Sequence, residues 1–304
     1  MRTLRISHRT RYSYDRCVSF GLHRLMIRPR DAHDMRILDS SLTITPSADV
    51  RWAFDTFGNS VALLSFHEAA DELVIASELV LRRYGFDEPM TRIERHAGAY
   101  PFQYEAEDSI DLAPLLPLQC PQDRATVEQW VSQALPDLPD GSLRLLDMLS
   151  SVIHRSFVYR RREEIGVQSP AQTILTASGT CRDFALLFME AARVLGFAAR
   201  FVTGYLYDPL HDLKDDGTPD PSAQEHLSGT GATHAWADIF LPGLGWIEFD
   251  PTNRIVAGRN LVRVAATRTP AQALPVSGSY SHDGAQCLGM DVQVSVTRST
   301  YHQD

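Results

Sequence analysis

Three residues in the second half of the chain carry side chains that together could cleave an amide bond. They are Cys181, His234 and Asp250. A cysteine nucleophile needs a thiolate of lowered pKa, an imidazole beside it, a group that fixes the imidazole tautomer and donors for the oxyanion. A thiol, an imidazole and a carboxylate match the first three needs. Each residue alone has a commoner structural explanation, so the hypothesis depends on the three being brought together.

The nucleophile candidate lies at the start of a predicted helix over residues 181–195, in which apolar residues recur at helical spacing. Ser178 or Thr180 can cap this helix. The unpaired N–H groups and the dipole of the first turn favour a thiolate, so we expect a pKa of Cys181 below the usual ~8.5. Gly179 would allow a sharp turn into the helix, and we expect that turn to leave the sulfur exposed.

The other two candidates lie on predicted strands, residues 234–241 and 246–250, which are joined through a glycine-rich segment. The carboxylate can reach the imidazole only if both project from the same face of the hairpin. That condition requires an odd number of loop residues, because the numbers of opposed residues sum to a constant. A three-residue loop over 242–244 satisfies it, as does a five-residue loop. A regular even loop would instead leave Asp238 or Glu248 as the carboxylate.

The blocks around these residues resemble the bacterial transglutaminase-like family. Residues 179–185 and 193–206 are similar to its nucleophile helix and following strand, and residues 234–238 and 243–253 to its histidine and aspartate blocks. The N-terminal segment and residues 258–260 also resemble parts of this family. The resemblance implies a papain-like core in which Cys181, His234 and Asp250 are catalytic. It implies no particular substrate, since the superfamily includes cross-linking enzymes, peptidases and amidases.

The expected fold is α+β, with a nucleophile helix packed on an antiparallel sheet and an N-terminal β-sandwich-like module before it. We predict four parts: a β module over 1–88, a proline-rich linker over 89–122, a catalytic core over 123–265 and an extension over 266–304. The strands predicted in the module are 4–14, 39–44, 50–54, 60–66 and 72–83. The helices predicted in the core are 123–134 and 142–159. Strands are also predicted over 199–207 and, at the end of the chain, over 290–297.

Several further residues are candidates for supporting roles. Gln168 and Gln172 could supply a side-chain oxyanion donor, although the backbone N–H of Cys181 is the simpler donor. Trp236 could wall the cleft or pack in the core. Asp183 is expected to support the helix dipole or to pair with an arginine.

Composition excludes several classes of protein. The formal net charge of −9 over 304 residues argues against nucleic-acid binding, which usually requires a basic face. The N-terminus does not resemble a signal peptide and no apolar run is long enough to span a membrane, so we expect a cytoplasmic protein with no membrane partner. The four cysteines form no CxxC motif, and no cofactor or metal is expected.

The segment 208–233 contains six acids and one lysine and directly precedes His234. We expect it to border the cleft and to favour neutral or basic substrates. It also contains His211 and His226, for which a solvated loop is a simpler explanation than a metal site.

Four functions remain open at this point. The first is an amide or peptide hydrolase that acts through an acyl-cysteine on a peptide or protein substrate. The second is an acyltransferase that passes the acyl group to an amine, and the third is a non-catalytic binding module. The fourth is a metalloprotein that uses Cys181, His234 and Asp250 as ligands. The oligomeric state does not follow from the sequence.

Overall fold

The computed structural model of the protein describes residues 1–84, 95–160, 162, 166–209, 227–258, 260–281 and 284–299. The N-terminal module consists of strands: β1 (Arg2–Phe20), β2 (His23–Leu25), β3 (Met35–Thr45), β4 (Ala48–Phe54), β5 (Ser60–Phe66) and β6 (Ala70–Arg83). The strands predicted in this region are confirmed, with ends that differ by a few residues. Strand β2 was not predicted, because three residues are too few to show an alternating pattern.

Helices occupy the middle of the chain: α1 (Arg95–Gly98), α2 (Ala106–Leu112), α3 (Arg124–Ala134), α4 (Ser142–Ser156), α5 (Pro170–Thr176) and α6 (Cys181–Val194). The first two fall in the segment predicted as a surface linker. Leu112 and Leu115 of that segment are buried against Ala198 of the core. The recurring prolines concealed this packing, since they end the helices after only one or two turns.

The core sheet contains five antiparallel strands in the order β12-β11-β10-β9-β13. Their bounds are β9 (Ala199–Leu206), β10 (His234–Leu241), β11 (Gly245–Asp250), β12 (Ile255–Val256) and β13 (Leu261–Thr267). A separate two-stranded parallel sheet consists of β7 (Val158–Tyr159) and β8 (Ser178–Gly179). Helix α6 packs on this sheet, where Phe188 stacks on Phe249 with ring centroids 5.4 Å apart. The predicted fold class is confirmed.

The end of the chain returns to the N-terminal module. Its strands are β14 (Val276–Ser277), β15 (Tyr280–Ser281) and β16 (Cys287–Arg298). Strand β16 pairs antiparallel with β1, from Leu4 opposite Arg298 to Tyr14 opposite Cys287. One sheet has the order β15-β1-β6-β3 with β16 also on β1, and the other has the order β14-β2-β5-β4. The segment predicted as a separate extension is therefore part of the β-sandwich.

The sandwich contacts the core sheet through a shared apolar cluster, in which Leu4 and Ile6 pack with Tyr205 and Val262. The Tyr205 hydroxyl also donates to the carbonyl oxygen of Ile27 at 2.8 Å. Contacts of this kind position the N-terminal module against β9 and β13. Among the described residues, no helix is long and apolar enough to cross a membrane.

Candidate active site

The β10–β11 hairpin has the odd loop that the triad hypothesis requires. Leu241 pairs with Gly245, so three residues form the loop, and regular pairing continues without a bulge to Ala237 opposite Phe249. Gly245 has a φ of 76°, a left-handed conformation that glycine adopts without strain. The predicted register is confirmed, and it directs His234 and Asp250 to the same face.

His234 and Asp250 form a direct, fully buried pair. The distance from Nε2 of His234 to Oδ2 of Asp250 is 2.8 Å. The other carboxylate oxygen, Oδ1, accepts the backbone N–H of Thr252 at 2.9 Å. Burial alone would raise the pKa of Asp250, but the charge of His234 and these hydrogen bonds outweigh burial and lower the pKa. Asp250 is therefore an ionised acceptor that holds the Nε2–H of the imidazole.

Cys181 is the neighbour of the imidazole on its other side. Burial lowers the pKa of His234, but the charges of Asp250 and then of Cys181, together with the hydrogen bond to Asp250, raise it to about 10. Nδ1 of His234 is buried, and no hydrogen bond of ordinary geometry to it is present in the described part of the chain. Nδ1 is thus the ring nitrogen that the bond to Asp250 leaves unused.

A glycine segment covers the imidazole. Gly229 has a φ of +93°, and a Cβ atom at that position would lie 2.8 Å from Nδ1 of His234 and 3.5 Å from the Tyr159 hydroxyl. The expectation of an exposed sulfur is wrong, since Cys181 is only 6% exposed. The sequence suggested a sharp turn at Gly179, but no pattern in it indicates that Gly229 lies against His234.

Asn253 connects this covering segment to the His–Asp pair. Its Nδ2 donates to Oδ2 of Asp250 at 2.9 Å and to the carbonyl oxygen of Ser228 at 3.1 Å. Its Oδ1 accepts the backbone N–H of Ser228 at 2.7 Å. Sequence reasoning did not single out Asn253, although it lies in the block that resembles the family's aspartate block.

Asp183 holds the start of α6. Its Oδ2 accepts the backbone N–H of Thr180 at 2.8 Å, and the Thr180 side chain accepts the backbone N–H of Asp183, which forms a capping box. The Thr180 hydroxyl also donates to Oδ2 at 2.9 Å. Arg162 donates to both carboxylate oxygens at 3.0 Å. The predicted pairing of Asp183 with an arginine is confirmed, and Thr180 is the N-cap residue, one of the two candidates. The backbone N–H of Cys181 lies in the first turn of α6, where N–H groups have no acceptor within the helix.

The remaining candidate residues are not brought to the sulfur. The side-chain amide of Gln168 donates to the carbonyl oxygen of Ser178 at 2.9 Å and lies against Asp183, so it is not available as an oxyanion donor. Gln172 lies exposed on α5. Trp236 is fully buried among Val202 and Leu261, so it packs in the core and does not wall an open cleft. Its indole ring centroid is 6.2 Å from that of His234.

The alternative carboxylates are engaged elsewhere. Asp238 accepts two hydrogen bonds from Arg200, at 2.8 and 3.0 Å. Glu248 lies opposite Asp238, and burial, followed by the charge of Asp238, raises its pKa to about 8. Neither residue replaces Asp250 beside the imidazole.

The arrangement does not have the form of a metal site. The direct hydrogen bond joins Nε2 of His234 to Oδ2 of Asp250, so these two atoms do not hold one metal ion between them. Across the described ranges, no group of three or more histidine, cysteine and acidic side chains has metal-binding geometry. His211 and His226, with most of the acidic segment that contains them, lie outside the described residues.

Known proteins are similar to this chain in sequence and in fold. Residues 4–82 match the bacterial transglutaminase-like N-terminal region, and residues 125–251 match the transglutaminase-like superfamily. An uncharacterized protein of Mycobacterium tuberculosis is 28% identical over 307 residues, covering 96% of this chain and 91% of its own. A candidate cysteine protease from Cytophaga hutchinsonii has the same fold, with a TM-score of 0.69 at 19% identity, over 99% of this chain and 93% of its own.

Proposed function

Since the chain belongs to the transglutaminase-like superfamily, we propose that it is a cysteine-dependent amide or peptide hydrolase that acts through an acyl-cysteine intermediate. In this proposal Cys181 is the nucleophile, His234 the general base and acid, and Asp250 the residue that orients the imidazole. One observation carries it: the fully buried 2.8 Å bond from Nε2 of His234 to Asp250, which leaves Nδ1 for Cys181. In other nucleophile–histidine–carboxylate triads too, one ring nitrogen binds the carboxylate and the other faces the nucleophile.

In the acylation step, the thiolate of Cys181 forms a bond to the carbonyl carbon of the substrate, and the carbonyl π electrons move onto oxygen. The N–H of Cys181 at the start of α6 donates to this oxyanion. When the oxyanion collapses, the C–N bond breaks and the leaving amine takes the proton from Nδ1 of His234. The raised pKa of His234 supports this step, since the imidazole stays protonated beside the thiolate.

In the deacylation step, neutral His234 removes a proton from water as the water oxygen attacks the thioester carbon. The C–S bond breaks, the acid product leaves, and the Cys181 thiolate and protonated His234 are restored. A transferase would differ only in the acceptor, since an amine would replace this water.

The proposal is tested with p-nitrophenyl acetate as the acylating probe. We expect a burst of nitrophenolate and an acetyl group that mass spectrometry maps to Cys181. The burst should disappear in Cys181→Ala and persist in Cys120→Ala. Acetate, and no amide, should accumulate when a primary amine is added at millimolar concentration. A burst that survives Cys181→Ala would refute the mechanism, and amide formation would assign the chain as a transferase.

A further inference from the structure

The β-sandwich is open on the side where its edge strands, β3 and β4, face each other. A cleft of about 510 Å³ lies there between the two sheets. On one wall, Leu42 pairs with Ser77 and Ser40 with Leu79, so these four residues share a face. The cleft is therefore a part of the sandwich interior that no other element of the described chain fills.

The opposite wall exposes large aromatic rings. Trp52 and Phe54 lie on β4, and Phe54 pairs with Ser60 of β5. Trp52 is 47% exposed and Phe54 is 70% exposed, although both line the space between the sheets. Adjacent exposed aromatic side chains around a concave surface are typical of binding sites.

Two serines contribute polar groups to the walls of the cleft. Ser60 and Ser77 are among the lining residues and are only 5% and 4% exposed, so both occupy inward positions of the sandwich. A few polar groups in a largely apolar lining usually serve to orient a bound ligand. The two serines therefore favour a ligand that carries polar groups of its own.

The charge of the cleft is positive. The guanidinium of Arg28 lies 5.8 Å from the ring centroid of Trp52, and that of Arg30 lies 4.8 Å from that of Phe54. Arg28 is one of the lining residues, and none of the lining residues is acidic. On a chain of net charge −9, this local excess of positive charge favours an anionic ligand.

Both strands that border the cleft are sheet edges. Strand β4 pairs only with β5, and β3 only with β6, in the sheets of the described chain. Each therefore has a row of backbone N–H and C=O groups without a strand partner, and such edges accept extended peptides as an added strand.

From these observations we infer that the cleft binds an extended acidic peptide segment, which adds as a strand to β4, inserts an apolar side chain between the sheets and directs a carboxylate to Arg28. Backbone pairing with the edge distinguishes this ligand from a free fatty acid or a sugar. The cleft contains none of Cys181, His234 and Asp250, so binding there does not depend on the proposed hydrolysis.

The test uses the full chain with Cys181→Ala and a fluorescein-labelled ten-residue peptide in which glutamate alternates with phenylalanine or valine. We expect saturable binding in fluorescence anisotropy. Arg28→Gln should weaken it about tenfold, the usual size of one charge-assisted contact. Trp52→Ala should weaken it at least as much, and Ser77→Val should weaken it while filling the cleft.

The matched controls are Arg16→Gln and Met290→Ala, which change an exposed arginine and an exposed apolar side chain elsewhere in the same module. Both should bind the peptide as the parent does, and all variants should retain the parent's Tm. The inference is overturned by no saturable binding up to 1 mM, by equal binding of the peptide with lysine in place of glutamate, or by equal effects of control and cleft variants. Equal binding of a backbone N-methylated peptide would also overturn it, because that peptide cannot pair with a sheet edge. Binding of a chito-oligosaccharide without binding of the peptide would overturn it as well.

Discussion

Two cysteines lie against the same helix and have opposite electrostatic surroundings. Cys181 begins α6 and lies beside His234, whose pKa is raised. Cys120 precedes α3 and lies beside Glu190 of α6, whose Oε2 accepts the backbone N–H groups of Gln119 and Cys120 at 2.8 and 2.9 Å. Burial, and then the charge of Glu190, raise the pKa of the Cys120 thiol to about 11.

If the proposed mechanism holds, one helix carries a reactive thiol at its start and contacts an inert one at its middle. The N-terminus of α6 supplies free N–H groups, and its anionic cap, Asp183, is itself paired with Arg162. The middle of the helix instead presents Glu190, which pairs with Arg193 at 2.9 Å and also accepts hydrogen bonds from the backbone. Reactivity therefore depends on which buried charge faces the sulfur, because the thiolate and not the thiol is the nucleophile.

The most direct test of this comparison is the contrast in alkylation between the two thiols. With a pKa of about 11, Cys120 is a thiolate in only about one molecule in ten thousand at pH 7. We expect iodoacetamide to modify Cys181 at least a hundredfold faster than Cys120 at pH 6–7, as measured by mass spectrometry. The exposed Cys17 and Cys287 serve as internal references. If Cys181 reacts no faster than these references, its assignment as the nucleophile is wrong.

The parts of the site that could be predicted from the sequence are those set by one hairpin or one helix turn. That His234 and Asp250 share a face follows from the parity of one hairpin, and the cap at Thr180 follows from the residues of one helix turn. The engagement of Gln168 by Ser178 and Asp183 could not be predicted, because it depends on how α5 and its preceding segment fold back on α6.

The fold shows the same limit. Single strands and helices were predicted from periodicity, whereas the pairing of β16 with β1 joins Leu4 to Arg298 across almost the whole chain. The covering of His234 by Gly229 also depends on tertiary packing, with no periodic pattern to reveal it.

The largest effect on turnover is expected for Asp250→Asn. An amide in place of the carboxylate can present its NH2 group to Nε2, which would favour the tautomer that has its proton on Nδ1, where a base is needed. We expect kcat to fall by about 10⁴, the cost of the comparable change in a serine protease triad. Asp238→Asn is the control, since Asp238 binds Arg200 and should affect stability more than kcat. A variant Asp250→Asn with more than a tenth of the parent's kcat would exclude Asp250 from the triad.

A smaller effect is expected for Gly229→Ala. The added Cβ would lie 2.8 Å from Nδ1 of His234, so the imidazole must shift, and a shift of about 1 Å at a catalytic group can cost about 10²-fold in rate. Gly231→Ala is the matched control, since Gly231 also has a positive φ but has nothing within 4 Å of its Cβ position. Both variants should lose similar stability from backbone strain, and only Gly229→Ala should lose kcat. Equal rates in the two variants would show that residue 229 does not confine the imidazole.

The smallest effect is expected for Asn253, and it tests whether this residue positions the His234–Asp250 pair. Asn253→Ala removes one hydrogen bond from Oδ2 of Asp250 and both hydrogen bonds to Ser228, so the carboxylate and the covering segment lose a common support. Since Nε2 of His234 still binds Asp250, we expect a fall in kcat of about tenfold, the size of one hydrogen bond to a charged group. The pH profile of kcat should also shift, because a carboxylate with fewer donors has a higher pKa.

Thr252→Val is the matched control: the Thr252 hydroxyl is buried without a hydrogen bond in the described chain, while its backbone N–H supplies the contact to Asp250. This variant should keep both kcat and the pH profile. If Asn253→Ala lowers Tm but leaves both of these unchanged, Asn253 supports the fold and does not position the His–Asp pair.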